Sequence, residues 1–167
     1  AVYTKISNRE IILINSKFNI DKIKSFKGIK KGIENTNYLL RSKNKKLILT
    51  IFEKRVSNRE IPFFMQLMES LNNSGINCPK PLKNKKGNYL IKLKGKTACI
   101  VSFVEGNDKI KLNSKNCLDI GKIIGRMHNV TKNVNLYRKN SMSIKNLSPL
   151  LKSIKFKSKK FTNIDNF

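Results

Sequence analysis

The chain has 167 residues, 39% of them hydrophobic, and a net charge of +26 from 36 lysines and arginines against 10 aspartates and glutamates. No apolar run reaches the roughly 20 residues that cross a bilayer, and no apolar stretch at the N-terminus precedes a cleavage pattern, so we expect neither a membrane helix nor a signal peptide. Ala1 fits a terminus from which an initiator Met was removed. Three widely spaced cysteines (Cys78, Cys99, Cys117) and one histidine argue against disulfides or a zinc site, and favour reduced thiols in a cytoplasmic protein.

The positive charge has two interpretations. Taken alone, it indicates a nucleic-acid partner. However, 30 of the 36 basic residues are lysines spread along the whole chain, and arginine, which makes most bidentate contacts to bases and phosphates, is scarce. Lysine, asparagine and isoleucine are abundant together, as an AT-rich coding sequence would produce. We favour compositional drift and keep a selected polyanion-binding surface as the alternative.

The first predicted elements are a helix and a strand. Ser7 is a candidate N-cap and Glu10 follows it at the third position, which is the pattern of a capping box. The apolar stripe of this helix consists of Ile11, Ile12, Ile14 and Phe18. The helix is expected to end at Asn19, and a strand centred on Phe26 is expected over residues 23–29.

The next stretch, residues 28–55, predicts a turn followed by a hairpin. An apolar run at 38–40 and a second at 47–52 flank the polar residues 42–46, which is typical of an antiparallel hairpin. In the second run, one face carries Ile48, Thr50 and Phe52, and the other carries Leu47, Leu49 and Ile51.

The turn in front of the hairpin has the sequence GIENTN, from Gly32 to Asn37. Glycine and asparagine tolerate positive φ angles. Successive N–H groups that point the same way form a nest for an anion such as phosphate. Residue types alone leave an ordinary turn as the other interpretation.

A second helix and two more strands follow. Ser57 is the expected N-cap, with Glu60 three residues later and Pro62 in the first turn. The apolar stripe of this helix is Phe64, Leu67, Met68 and Leu71, and residues 72–75 end it. After an extended linker at 78–81, strands are expected over 89–93 and 97–104 around a turn at 94–96. The second of these strands is nearly all apolar, so we expect it inside the sheet.

A break at residues 105–108 marks the expected boundary between two lobes. Ser114 is the expected cap of a helix that ends at His128. The apolar side of this helix carries Leu118, Ile120, Gly121, Ile124, Gly125 and Met127. We expect that side to be exposed when the rest of its lobe is absent. Residues 142–154 predict a short helix, and 155–160 a basic tail.

Five strands, with one helix after the third and a helical region after the fifth, form the layout of a protein-kinase-like N-lobe. The segments that carry a more specific resemblance are AVYTKIS, SFKGIKKGIENTNYLL, LILTIFEKR, PFFMQLMESLNNSGINCPKPL, ACIVSFVEGN and IGKIIGRMHNV. In this order, over residues 1–130, they resemble the homoserine kinases related to aminoglycoside phosphotransferases and choline kinases. The resemblance implies an α+β fold. Residues 1–105 would form the N-lobe, with a five-stranded antiparallel sheet and an N-terminal helix, and 106–167 the first helices of an incomplete C-lobe.

The resemblance also implies transfer of the ATP γ-phosphate to the hydroxyl of L-homoserine, a step toward threonine, with Mg²⁺ as the cofactor of ATP. The nucleotide-binding residues it implies are Gly32, Asn35, Thr36 and Asn37 over the phosphates, Ile48 and Phe52 beside adenine on the face of Thr50, and the hinge Ser102, Phe103, Val104 and Glu105. Packing in the core is the other interpretation of Ile48 and Phe52.

Two positions depart from the usual kinase pattern. Thr50 stands where a phosphate-binding lysine is expected on the third strand, and Phe64 stands where its helix glutamate is expected. The absence of the lysine and the glutamate together is physically consistent, because a buried glutamate without its lysine is costly. The residues expected to neutralise the phosphates instead are Lys30, Lys31, Lys54 and Arg55, with Glu53 or Glu69 paired to one of them.

The catalytic His-Gly-Asp loop and the metal-binding aspartate of these phosphotransferases have no counterpart in the chain. His128 is interpreted as structural, since no carboxylate or nucleophile accompanies it. We therefore expect a fragment that is inactive alone, with the homoserine site, catalytic base and metal ligands outside residues 1–167. The alternatives are a non-catalytic, degenerate kinase-like protein and a basic nucleic-acid-binding module.

Overall fold

The computed structural model describes residues 2–53, 56–107, 111–140 and 142–157, with the backbone alone for 153–157. Within these ranges the elements are α1 (Asn8–Lys17), β1 (Ser25–Gly28), β2 (Thr36–Arg41), β3 (Lys46–Ile51), α2 (Ile61–Asn73), β4 (Leu90–Leu93), β5 (Lys96–Ser102), α3 (Ser114–Thr131) and α4 (Ile144–Lys157). One compact unit runs to Leu136 and another begins at Tyr137. The predicted lobe boundary at 105–108 stays a prediction.

The five strands form one antiparallel sheet in the order β1-β2-β3-β5-β4. This confirms the predicted fold class, and it confirms that β5 lies inside the sheet. The strands β4 and β5 are joined by Lys94 and Gly95, whose φ angles are 48° and 76°. Two consecutive positive φ angles are typical of the tight turns that match the twist of a hairpin.

One face of the sheet, here called the outer face, is covered by α1. Its buried side chains, together with those of α1 and the segments that flank it, are Ile6, Ile11, Ile14, Phe18, Ile23, Tyr38, Leu40, Leu47, Leu49, Ile51, Ile91, Leu93, Ala98 and Ile100. The predicted capping box of Ser7 and Glu10 is present. The helix ends at Lys17 rather than Asn19, and the prediction for Ile12 was wrong, since it is 68% exposed. Residues at a spacing of three and four, such as Ile11, Ile14 and Phe18, already form the buried stripe.

The opposite face, here called the inner face, is covered in part by α2. A second cluster joins Ile61 and Met65 of this helix to Cys99 and Val101 of β5. The prediction that Ser57 caps α2 was wrong, because the helix begins at Ile61 and residues 58–60 form a turn. Proline is favoured in the first turn of a helix, so Pro62 sets the start four residues beyond Ser57, too far for its hydroxyl to reach the unpaired N–H groups.

The helix α3 begins one residue earlier than a cap at Ser114 would require. Asn113 is the N-cap and forms a reciprocal box with Asn116, and the helix continues past His128 to Thr131. None of its side chains is buried, and Leu118 is 57% exposed. The expected exposure of its apolar side is therefore present.

The predicted helix near residues 142–154 is α4, Ile144–Lys157, so the first residues of the predicted basic tail are helical. The remainder of that tail, 158–160, lies outside the described residues. No helix in the described ranges is both long and apolar enough to cross a bilayer.

Candidate nucleotide site

Two rows of side chains cross the inner face where α2 does not cover it completely. Asn37, Thr50 and Cys99 are neighbours across β2, β3 and β5 and form a row that is polar at its β2 end. Two residues along the strands, a second row consists of Leu39, Ile48 and Val101. The polar row lies toward the β1–β2 turn (residues 29–35), and the apolar row lies toward the end of β5. The start of β2, next to the turn, and the end of β5 lie about 13 Å apart along the strand direction. This distance corresponds to four residues at about 3.3 Å each.

The polar row contains a side-chain hydrogen bond at the position of the missing lysine. The Thr50 hydroxyl donates to Oδ1 of Asn37 over 2.8 Å. This bond orients the Asn37 amide, and no described residue accepts a hydrogen bond from its Nδ2 group. The Asn37 amide thus provides two neutral N–H donors beside Thr50, the position where the kinase pattern predicts a lysine. Both side chains are half-buried.

The β1–β2 turn has a positive φ at its glycine, as the sequence predicts, but not at Asn35, and Thr36 and Asn37 of the predicted turn belong to β2. The nest of N–H groups stays a prediction. Gly32 has a φ of +98°, which a residue with a Cβ adopts only with strain, and nothing lies within 4 Å of the position a Cβ would take. Ile33 is 77% exposed. Asn35 accepts a long hydrogen bond from the Glu53 N–H group, at 3.4 Å. Lys30 and Lys31 are exposed beside this turn, whereas the other two predicted cations, Lys54 and Arg55, lie outside the described residues.

The predicted hinge follows β5. The N–H group of Ser102 donates to the Lys80 carbonyl at 2.8 Å, and that of Phe103 donates to the Lys46 carbonyl at 3.3 Å. Among the described residues, the Val104 N–H group has no acceptor. An exposed ion pair between Lys46 and Glu105 (2.6 Å) adds a tether whose contribution to stability is small.

Phe64 of α2 stands where the kinase pattern predicts a glutamate. It is half-buried and packs against the cluster of Ile61, Met65, Cys99 and Val101. An apolar ring at this position needs no cation opposite it. Neither Thr50 nor Phe64 therefore leaves a buried charge unpaired.

The structure pairs Glu53 and Glu69 with other lysines than those predicted. Glu53 binds Lys96, and Glu69 binds Lys83 at 3.1 Å and also accepts a hydrogen bond from Tyr89. The Tyr89 and Lys83 hydrogen bonds lower the pKa of Glu69. Among the described residues, the partners are thus lysines on β5 and in the loop before β4. Pairing of either carboxylate with Lys54 or Arg55 lies outside the described residues and stays a prediction.

The Thr36 hydroxyl lies on the outer face and is fully buried. It donates to Glu53 at 2.6 Å and accepts the N–H groups of Tyr3 and Thr4 at 2.9 and 3.0 Å. A role for Thr36 at the phosphates would therefore fall to its backbone. The sequence carries no local signal for this cluster, because its bonded residues are 17 to 49 positions apart.

In the described ranges, no group of three or more His, Cys, Asp or Glu side chains is placed to hold a metal ion. Glu53, the carboxylate behind the turn, is already engaged by Lys96, Thr4 and Thr36. These residues do not form a site for Mg²⁺.

The chain is similar to known phosphotransferases. Residues 25–150 match the model of the phosphotransferase enzyme family. The homoserine kinase of Bradyrhizobium diazoefficiens is 38% identical over 150 residues, 90% of this chain and 46% of that protein. The homoserine kinase of Paramagnetospirillum magneticum is 39% identical over 155 residues, 93% of this chain and 48% of that protein. The chain thus spans about half the length of the relatives it matches.

Solved structures of the same fold include two kinases. Spectinomycin phosphotransferase APH(9)-Ia, in complex with ADP and spectinomycin, has a TM-score of 0.67 at 17% identity, with 92% of this chain and 48% of that one covered. The microcompartment-associated aminopropanol kinase has a TM-score of 0.64 at 12% identity, with coverage of 84% and 48%. The similarity to these structures concerns the fold.

Proposed function

Because the chain belongs to the phosphotransferase enzyme family, we propose that it is the nucleotide-binding part of a homoserine kinase, which transfers the γ-phosphate of ATP to the L-homoserine hydroxyl. The observation that carries the substrate assignment is the identity of 36–39% to homoserine kinases over 86–93% of this chain. The inner face supports the nucleotide assignment, since the apolar row, the polar row and the glycine turn follow one another in space along the strands.

Adenine would lie on the apolar row. Ile48 and Val101 are adjacent there, at the end of the sheet where the hinge begins. The Val104 N–H group is a hinge donor without an acceptor among the described residues, whereas the N–H groups of Ser102 and Phe103 are used. This arrangement fits a planar heterocycle with one edge that accepts a hydrogen bond.

The phosphates would lie over the polar row and under the β1–β2 turn. The turn would donate backbone N–H groups, and Asn37, oriented by Thr50, would donate its amide. Lys30 and Lys31 are exposed near this end of the sheet and would add positive charge. The Thr50–Asn37 pair would thereby replace a lysine point charge by directional, neutral donors.

The acceptor alcohol, catalytic base and Mg²⁺ ligands are assigned to the part of the relatives that this chain does not span. No His-Gly-Asp sequence occurs in the 167 residues. We accordingly expect the 167-residue chain by itself to show no homoserine-dependent ATP consumption.

The test uses the protein expressed from its complete gene. We expect homoserine-dependent phosphorylation, and we expect Thr50→Val to raise the KM for ATP about tenfold, the effect of losing one oriented hydrogen-bond donor. Thr50→Ser keeps the hydroxyl and should stay near the wild type.

A matched control is Thr97→Val, which removes the other inner-face hydroxyl of this kind. Thr97 donates to Asn58 rather than to Asn37, so its loss should change stability but leave the KM for ATP unchanged. Absence of homoserine phosphorylation would contradict the proposed substrate, and nucleotide binding without phosphorylation of any alcohol would support the non-catalytic alternative.

A further inference from the structure

Residues 2–4, here called the N-terminal strap, lie against the β1–β2 turn from the outer face. The Tyr3 hydroxyl donates to the carbonyl of Ile33 within the turn, at 2.9 Å. Before the turn, a Cβ added to Gly28 would lie 2.9 Å from a Val2 methyl group, so the strap touches the strand that enters the turn. The strap therefore contacts the turn itself and the strand before it.

After the turn, the strap is bonded to the first residue of β2. The Thr36 hydroxyl accepts the N–H groups of Tyr3 and Thr4 at 2.9 and 3.0 Å. The hydroxyl of Tyr38 donates to the Thr4 carbonyl at 3.0 Å. Two backbone donors and one backbone acceptor of the strap are thus fixed by side chains of β2.

Glu53 joins these parts. Its carboxylate accepts the hydroxyls of Thr4 and Thr36 at 2.7 and 2.6 Å, and it forms an ion pair with Lys96, which also donates to the Thr4 hydroxyl at 2.7 Å. The Glu53 side chain is only 9% exposed. A carboxylate this buried is stable only because three donors surround it.

The electrostatics agree with this geometry. Burial is the strongest influence on Glu53 and raises its pKa, but the hydrogen bonds from Lys96, Thr36 and Thr4 outweigh burial and leave the pKa below its ordinary value. Glu53 is therefore ionised at neutral pH and balanced by Lys96. An unbalanced carboxylate at this place would repel phosphates held by the turn.

We propose that Glu53, balanced by Lys96, is a positioning residue for the nucleotide phosphates, because it fixes the N-terminal strap and the strap fixes the β1–β2 turn. The side chain of Ile33 is exposed, so the contact of its carbonyl with Tyr3 is what ties this residue to the strap. Residues 2–4 thereby belong to the nucleotide site although they lie on the other face of the sheet. This inference rests on the proposed function of the turn.

The first experiment measures amide hydrogen exchange of the protein expressed from its complete gene, without nucleotide. We expect Glu53→Gln to accelerate exchange over residues 31–37 about tenfold while the centres of β3 and β5 stay protected. The matched control is Glu69→Gln, which removes another carboxylate that binds a lysine and a hydroxyl, on the α2 side of the molecule, and should leave residues 31–37 unchanged. Unchanged exchange in a folded Glu53→Gln chain would overturn the proposal.

If Glu53→Gln does not fold, a second variant tests whether the strap holds the turn. Tyr3 is 57% exposed, and Tyr3→Phe removes the bond to Ile33 while it leaves the carboxylate cluster intact. We expect exchange about threefold faster, confined to residues 32–35. No change there would overturn the role of the strap.

Enzyme kinetics separate positioning from stability. In the protein expressed from its complete gene, Glu53→Gln should raise the KM for ATP about tenfold with kcat and the KM for homoserine within about threefold. Faster amide exchange in the turn with an unchanged KM for ATP would refute the nucleotide role of the turn, and with it the proposed function. A raised KM for ATP with unchanged amide exchange in the turn would refute only the positioning role of Glu53.

Discussion

The two faces of the sheet have the same strands but different coverings. On the outer face, Leu40, Leu49 and Ile51 are completely buried under α1 and its flanking segments. On the inner face, α2 buries Cys99, whereas Thr50 and Asn37 in the same row stay half-buried. A face that is covered throughout holds the fold together. A face that is covered at one side leaves oriented polar groups in an apolar surround, and such surfaces bind ligands.

The largest expected contrast concerns thiol reactivity, between a cysteine in the closed part of the inner face and an exposed cysteine. Burial raises the pKa of Cys99 to about 12, from an ordinary 9.0, so its thiolate fraction should be about a thousandfold lower than that of an ordinary thiol. Cys117 is exposed on α3. Iodoacetamide labelling at pH 8, followed by mass spectrometry, should modify Cys117 rapidly and Cys99 only after unfolding.

If Cys99 reacted within about tenfold of the rate of Cys117 in the folded chain, the closed part of the inner face would not exist as described. The half-buried Cys78 provides an intermediate reference.

The second contrast compares neighbouring leucines of β2 that point to opposite faces. Leu40 is fully buried on the outer face, and Leu39 is half-buried on the inner face. Leu40→Ala should lower the free energy of unfolding by about 3–5 kcal/mol, the cost of a cavity in a packed core, and Leu39→Ala by about 1 kcal/mol. Urea denaturation measures both. Equal losses would contradict the difference between the faces.

The smallest expected effect is a pH dependence of the cluster behind the turn. The pKa of Glu53 is below its ordinary value of 4.5 in the folded chain, so its contribution to stability is complete above that value and is lost as the pH falls through the lower, folded-state pKa. The difference in stability between the wild type and Glu53→Gln should therefore shrink as the pH falls from 7 to about 3. A constant difference would show that ionisation of Glu53 does not stabilise the cluster.

Local patterns predicted much of the fold. The alternation in residues 47–52 gave the two faces of β3 correctly, because strand side chains alternate strictly and each set is apolar enough to be recognised. The capping box at Ser7 was also correct. The starts of α2 and α3 were wrong because several polar residues compete for each cap, and the choice depends on neighbours such as Pro62 and Asn116.

The site was less predictable. The position of Thr50 on the inner face followed from alternation, but its bond to Asn37 depends on the register between β2 and β3. The ion pair of Glu53 and Lys96 joins residues 43 positions apart, and the chain offers 30 lysines as partners. Such a pair is determined by the folded geometry alone.

The central claim is that the inner face binds ATP. The most direct test is methyl NMR of the protein expressed from its complete gene, labelled at isoleucine δ1 methyl groups and titrated with a non-hydrolysable ATP analogue. Ile48 on the inner face and Ile33 in the turn should shift, whereas Ile51 and Ile100, buried on the outer face, should not. Saturable binding that shifts the outer-face methyl groups and leaves Ile48 and Ile33 unchanged would contradict the account.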